Sequence, residues 1–254
     1  MSAFIDWTII GPALVAGLIV LSTHVPMGQE VLKRGIIFID LAIAQVAGLG
    51  VIAAHSMDWD PNGFEVQIAA VGAALIAALG LNWTEKHWPS IQEPLIGSLF
   101  VLAATGGILL LAGNPHGSEH LKELLVGQIL WSTWASLLPI AALYVAVLVF
   151  WFTLRERFGA LGFYVTFAIV VTASVQIVGI YLVFASLIIP ALATSRLRRG
   201  NRLAIGYTIG ALSYFTGIVL SAALDLPTGA IIVWSMAIIA ILAGTLLSRH
   251  GETQ

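Results

Sequence analysis

Between Arg157 and Arg196 the chain carries no charged residue, and the apolar stretch Leu161–Thr194 inside that interval is 34 residues long. A straight helix of that length would reach ~51 Å at ~1.5 Å per residue, whereas the hydrocarbon core of a bilayer is about 30 Å thick. The stretch is too long for one crossing and too apolar for a soluble domain. Its flanks narrow the choice: Arg155 and Arg157 precede it, and Arg196, Arg198, Arg199 and Arg202 follow it. Basic residues stay on the cytoplasmic side of a membrane, so both ends are expected there. The run must then turn back, near Gln176–Gly179, and a broken, re-entrant hairpin is predicted over residues 161–194.

The rest of the chain is cut to the same measure. Trp7–Thr23, Ile36–Ala54, Phe64–Leu81, Leu95–Ala112, Leu137–Phe152, Leu203–Leu224 and Ala230–Ser248 are each close to one membrane crossing in length. The expected fold is therefore all-α, a polytopic transmembrane helix bundle of about 8–9 spans, with residues 1–254 forming a single membrane domain. Composition agrees. Apolar residues make up 59% of the chain and charged ones 9%, against about 25% charged in soluble proteins; this chain cannot coat a globule, and the lipid bilayer is its solvent. The net charge of −2 gives no footing for nucleic acid, and with no cysteine any zinc or iron would need His and carboxylate ligands. The N-terminal MSAFIDWTII lacks a basic region and a small-residue cleavage site, and reads as the start of a first span.

Threading these spans leaves Lys122 as the one basic residue outside and puts the C-terminus in the cytoplasm. The outer loops collect Asp6, Asp58, Asp60, Glu65, Glu119, Glu123 and Asp225, with His55, His116 and His120. An acidic, imidazole-bearing face attracts divalent cations more than anions, although acids also gather there simply because positive charge stays inside. Among them "NPHGSEHLKE", residues 114–123, has the H-x-x-E-H spacing of inverted zincin peptidases. A peptidase also needs a further ligand and a water-excluding cleft, and nothing else in the chain supplies them. The readings left for His116, Glu119 and His120 are a metal-catching segment, a partner-facing segment, or a polar loop without chemistry.

Three stretches resemble the membrane subunit of zinc/manganese ABC importers: GIYLVFASLIIPALATSRL at 179–197, LDLPTGAIIV at 224–233 and GQEVLKRGIIFIDLAIAQVAGLG at 28–50. Weaker echoes are WTEKHWPSIQEPLIG at 83–97 and LLVGQILW at 124–131. The resemblance runs from about Pro12 to Ser248. It implies a non-catalytic permease in the cell (inner) membrane, working as a homodimer with a cytoplasmic ABC ATPase and an extracytoplasmic metal-binding protein. No cofactor would be permanently bound; the cargo would be a divalent metal, zinc first and manganese or iron next. The chain has no G-x-x-x-x-G-K-[ST] phosphate loop of its own. The resemblance makes Arg196, Arg198, Arg199 and Arg202 the ATPase-docking turn and Asp225 an outer acidic metal position; the sequence also allows Asp225 as the N-cap of the last span.

The chain departs from that pattern in two places. Family members carry Asp and His four apart in the second span, where this chain has Leu41 and Gln45. Asp40 offers a substitute carboxylate inside the same span, but five residues at ~100° each set it about 140° from Gln45 around the helix. After the fifth span only Thr153–Gly159 replaces a longer amphipathic segment, which implies a smaller ATPase interface on that side.

Overall fold

The computed structural model describes residues 7–57, 59, 63–114, 117–197 and 199–251. Its helices are α1 (Trp7–Arg34), α2 (Ile39–His55), α3 (Phe64–His87), α4 (Gln92–Leu111), α5 (Gly117–Val126), α6 (Trp134–Thr153), α7 (Arg155–Ala193), α8 (Arg199–Leu224) and α9 (Thr228–Gly251). No strand occurs among the described residues. Among the described residues, seven segments are long and apolar enough to cross a membrane. Helix α2, at 17 residues, stands at the lower edge of a crossing. The chain is an all-α polytopic membrane protein.

Two compact units form, and neither is continuous in sequence: residues 1–34, 126–145 and 177–254 make one, and residues 35–125 and 146–176 the other. Helices α6 and α7 contribute to both.

In the first unit α1 packs antiparallel on α8 through a ladder with a four-residue step. Gly17 lies under the ring of Tyr214, Leu21 meets Gly210, and Val25 meets Gly206. Small residues opposite large ones let backbones approach, which is how helices associate in lipid. The sequence suggested a first span ending at Thr23, but α1 continues through Pro26 to Arg34. Proline has no N–H for the carbonyl four residues back, here that of Ser22. The Tyr207 hydroxyl donates to that carbonyl at 2.8 Å, so the helix runs on.

In the second unit α2 packs on α3, with Gly50 against the Ala69 carbonyl and the Ala73 methyl, and on α4, with Leu49 and Ile52 over Gly106 and Gly107. A polar network crosses the unit. The Gln92 amide donates to the Leu81 carbonyl at 2.9 Å and to the Tyr164 hydroxyl at 3.1 Å, and Gln92 accepts from Thr84 at 2.8 Å. Beside it the Phe163 ring meets those of Trp151, Tyr164 and Phe167, and the Arg155 guanidinium lies 4.4 Å from the Trp151 ring centre.

All of the long apolar run but Thr194 falls within α7, 39 residues assigned as one helix, so no loop marks the turn expected near Gln176–Gly179. The discontinuity takes another form. Gly179 has φ +77°, a conformation that ends a right-handed helix, and it lies just past the junction of the two units at Gln176–Ile177. A helical segment ends there and another begins at once. The partner of this break is Gly127, at φ +72°; the two glycines lie backbone against backbone. Gly229, at the start of α9, presses on the same place, where a Cβ would stand 2.5 Å from the Val126 carbonyl oxygen.

Candidate functional site

Asp40 is in the first turn of α2, which starts at Ile39 and not at Ile36. Residues 35–38 form the turn before it, with Gly35 at φ +71°. The residue read from sequence as lying inside a span is thus at a helix terminus. It is nonetheless only 1% exposed. Neither carboxylate oxygen has a hydrogen-bond partner. Glu93, in the first turn of α4, is the charged neighbour that acts on Asp40. Its Oε1 accepts the Phe38 N–H at 3.2 Å, and its Oε2 is buried without a hydrogen-bond partner. Gln45 is half-buried on the same helix. Helical geometry is regular between the two, so the angular offset from Asp40 holds and they do not form a pair.

Asp225 lies in the connection between α8 and α9, and its backbone is its main distinction: φ is +53°, the one positive value at a described residue other than glycine. It ends α8 in a left-handed turn. Two residues then precede Thr228, the first of α9, so Asp225 is not the N-cap of the last span. The turn is held from below by Ser221, whose hydroxyl donates to the Leu226 carbonyl at 2.6 Å and pairs with the Thr228 hydroxyl at 2.6 Å. The Asp225 side chain is exposed.

His116, Asp6, Asp58, Asp60 and Arg198 lie outside the described residues. Glu119 and His120 do not sit on an irregular loop: they belong to α5, with Glu119 exposed in its first turn. Gly117 is the first residue of that helix. In the basic turn, Arg196 is exposed and Arg199 begins α8. Arg202 donates from Nε to the Leu197 carbonyl at 2.7 Å and so braces the turn. Among the described residues no group of three or more His, Asp or Glu side chains is placed to hold a metal ion.

His24 was not singled out by the sequence reading. It is fully buried in α1, and was overlooked because Pro26 made Thr23 look like the end of the span. The Asp40–Glu93 approach was equally hidden, since 53 positions separate the two residues.

Three of the stretches that carried the resemblance, 179–197, 224–233 and 124–131, share one structural feature. Gly179 opens the first, Gly229 lies in the second and Gly127 in LLVGQILW, and all three converge on Val126–Gly127. These membrane-length helices define a polytopic membrane protein. The chain belongs to the ABC 3 transport family, which matches residues 6–170 and 153–246.

Its relatives include the manganese transport system membrane protein MntC of Halalkalibacterium halodurans, 26% identical over 97% of this chain and 90% of that protein. The high-affinity zinc uptake system membrane protein ZnuB of Haemophilus influenzae is 24% identical over 92% of this chain and 96% of its own length. The fold is also that of PsaBC from Streptococcus pneumoniae in complex with Fab, with a TM-score of 0.69 at 21% identity, over 93% of this chain and 89% of that one.

Proposed function

We propose that this chain is the membrane-spanning subunit of an importer for a divalent transition metal, zinc first and manganese or iron next. A homodimer would form the pathway in the cell membrane, an ATPase in a separate chain would dock on the basic turn around Arg196–Arg202, and an extracytoplasmic binding protein would deliver the ion. The C-terminus and the 33–34, 86 and 155–157 basic positions would face the cytoplasm, with Asp225 and α5 on the opposite side. The observation that carries this reading is the family match from residue 6 to 246, supported by relatives named for manganese and zinc transport. The chain's role would be to shape and gate the path, with hydrolysis left to its partner.

The test is uptake of radiolabelled zinc and manganese by a strain lacking the chain, with and without a plasmid copy. Restoration of energy-dependent uptake at limiting metal is expected; no restoration of either ion would sink the proposal. A second reading, transport of the metal as a chelate, is favoured by Leu41 and Gln45 at the Asp/His positions and by the absence of a three-ligand cluster among the described residues. Uptake restored only when a chelator is supplied with the metal would select it.

A further inference from the structure

We propose that His24 is a nitrogen ligand met by the cation in transit, and that it biases the pathway toward zinc over manganese. This rests on the metal-import reading above. His24 is the one ionisable side chain between Trp7 and Gln29, and at ~1.5 Å per residue it stands about 14 Å along α1 from Lys33, well within apolar depth. An ionisable residue in that position is functional by default.

The hydrogen bonds fix what the ring can do. Nδ1 lies 2.8 Å from the Val20 carbonyl oxygen and 3.2 Å from the Thr23 hydroxyl. A carbonyl only accepts, so Nδ1 carries the proton and Nε2 carries the lone pair. Nε2 is fully buried and has no hydrogen-bond partner. A backbone carbonyl holding one ring N–H while the other nitrogen is free is how proteins orient an imidazole toward a metal. An imidazole kept only for packing would have no reason to hold a bare acceptor in a dry site.

The helix runs on here, but it lacks one backbone hydrogen bond. Pro26 withholds the N–H that Ser22 would receive, and Tyr207 on α8 supplies the replacement. His24 lies between the two residues of that missing bond, Ser22 and Pro26. One nitrogen makes a weak station, which suits passage: an ion must bind well enough to enter and loosely enough to leave. Imidazole suits zinc, whereas manganese prefers oxygen.

The test is initial uptake of labelled zinc and of labelled manganese in cells expressing the chain with its own ATPase and binding protein. In His24→Asn the amide nitrogen can replace Nδ1–H on the Val20 carbonyl, but no atom stands where Nε2 was. In His24→Gln the amide oxygen reaches that place. The zinc-to-manganese ratio is internal to each variant and independent of its amount in the membrane. It should fall roughly tenfold in His24→Asn, and in His24→Gln it should fall while manganese uptake stays at or above wild type. An unchanged ratio in both variants would overturn the assignment, as would an equal loss of both ions. Wild type that moves neither ion would refute the metal reading itself, and this one with it.

Discussion

Replacing Gly179 by Ala probes the junction at the centre of α7. Two effects add. The left-handed φ of +77° is unfavourable for an L-residue by about 1–2 kcal/mol. The new methyl would also stand 2.5 Å from the Val126 carbonyl carbon, against backbone that cannot rotate away, and such overpacking costs about 1–3 kcal/mol. The sum is about 3 kcal/mol. Gly35 supplies the control: its φ is +71°, and nothing lies within 4 Å of a Cβ built there, so Gly35→Ala carries the conformational part alone. Thermal unfolding of the detergent-solubilised protein measures both. At roughly 2–4 °C per kcal/mol, Gly35→Ala, at about 1.5 kcal/mol, should lower the midpoint by about 3–6 °C, and Gly179→Ala, at about 3 kcal/mol, by about 6–12 °C. Uptake per inserted molecule should fall further in the second. Equal losses in the two variants would show that the Gly127–Gly179 contact contributes nothing, and the junction would be only a helix end.

Tyr207→Phe should destabilise the protein by about 1 kcal/mol by stranding the Ser22 carbonyl. That penalty should disappear in the Pro26→Ala background, where residue 26 regains its N–H; strict additivity of the two changes would refute the satisfaction argument. Asp225→Asn should leave stability intact, because asparagine tolerates the left-handed region, while lowering metal uptake; uptake at the wild-type level removes Asp225 from the pathway. Arg198→Glu with Arg199→Glu should bring ATPase copurification to background with membrane insertion unchanged, and a normal yield of the ATPase would move docking elsewhere. His116→Ala with His120→Ala should slow uptake at scarce metal and leave it near normal at saturation. A complete loss at saturation would mean that this segment is an obligatory site.

The membrane architecture was legible because bilayer thickness converts apolar length directly into topology. The 34-residue run could not be one straight crossing, and the break stands at Gly179, within the Gln176–Gly179 window. What sequence could not show were pairings between distant residues. Pro26 reads as a stop until Tyr207, 185 positions from Ser22, is seen to take up its carbonyl; the length of α1 and the burial of His24 both follow from that one contact. Ile36–Ile37–Phe38 prolongs the apolar pattern of α2, but the turn at Gly35 delays the helix to Ile39, so Asp40 arrives in a first turn. The Gln92–Tyr164 bond links side chains 72 positions apart, beyond any local pattern.

The most direct test of the central claim is metal accumulation by proteoliposomes containing the chain with its ATPase, its binding protein added outside and ATP enclosed. Zinc accumulation should require both ATP and the binding protein, and should be lost when either is omitted. Accumulation that persists without ATP, or ATP turnover that moves no metal in either free or chelated form, would contradict it.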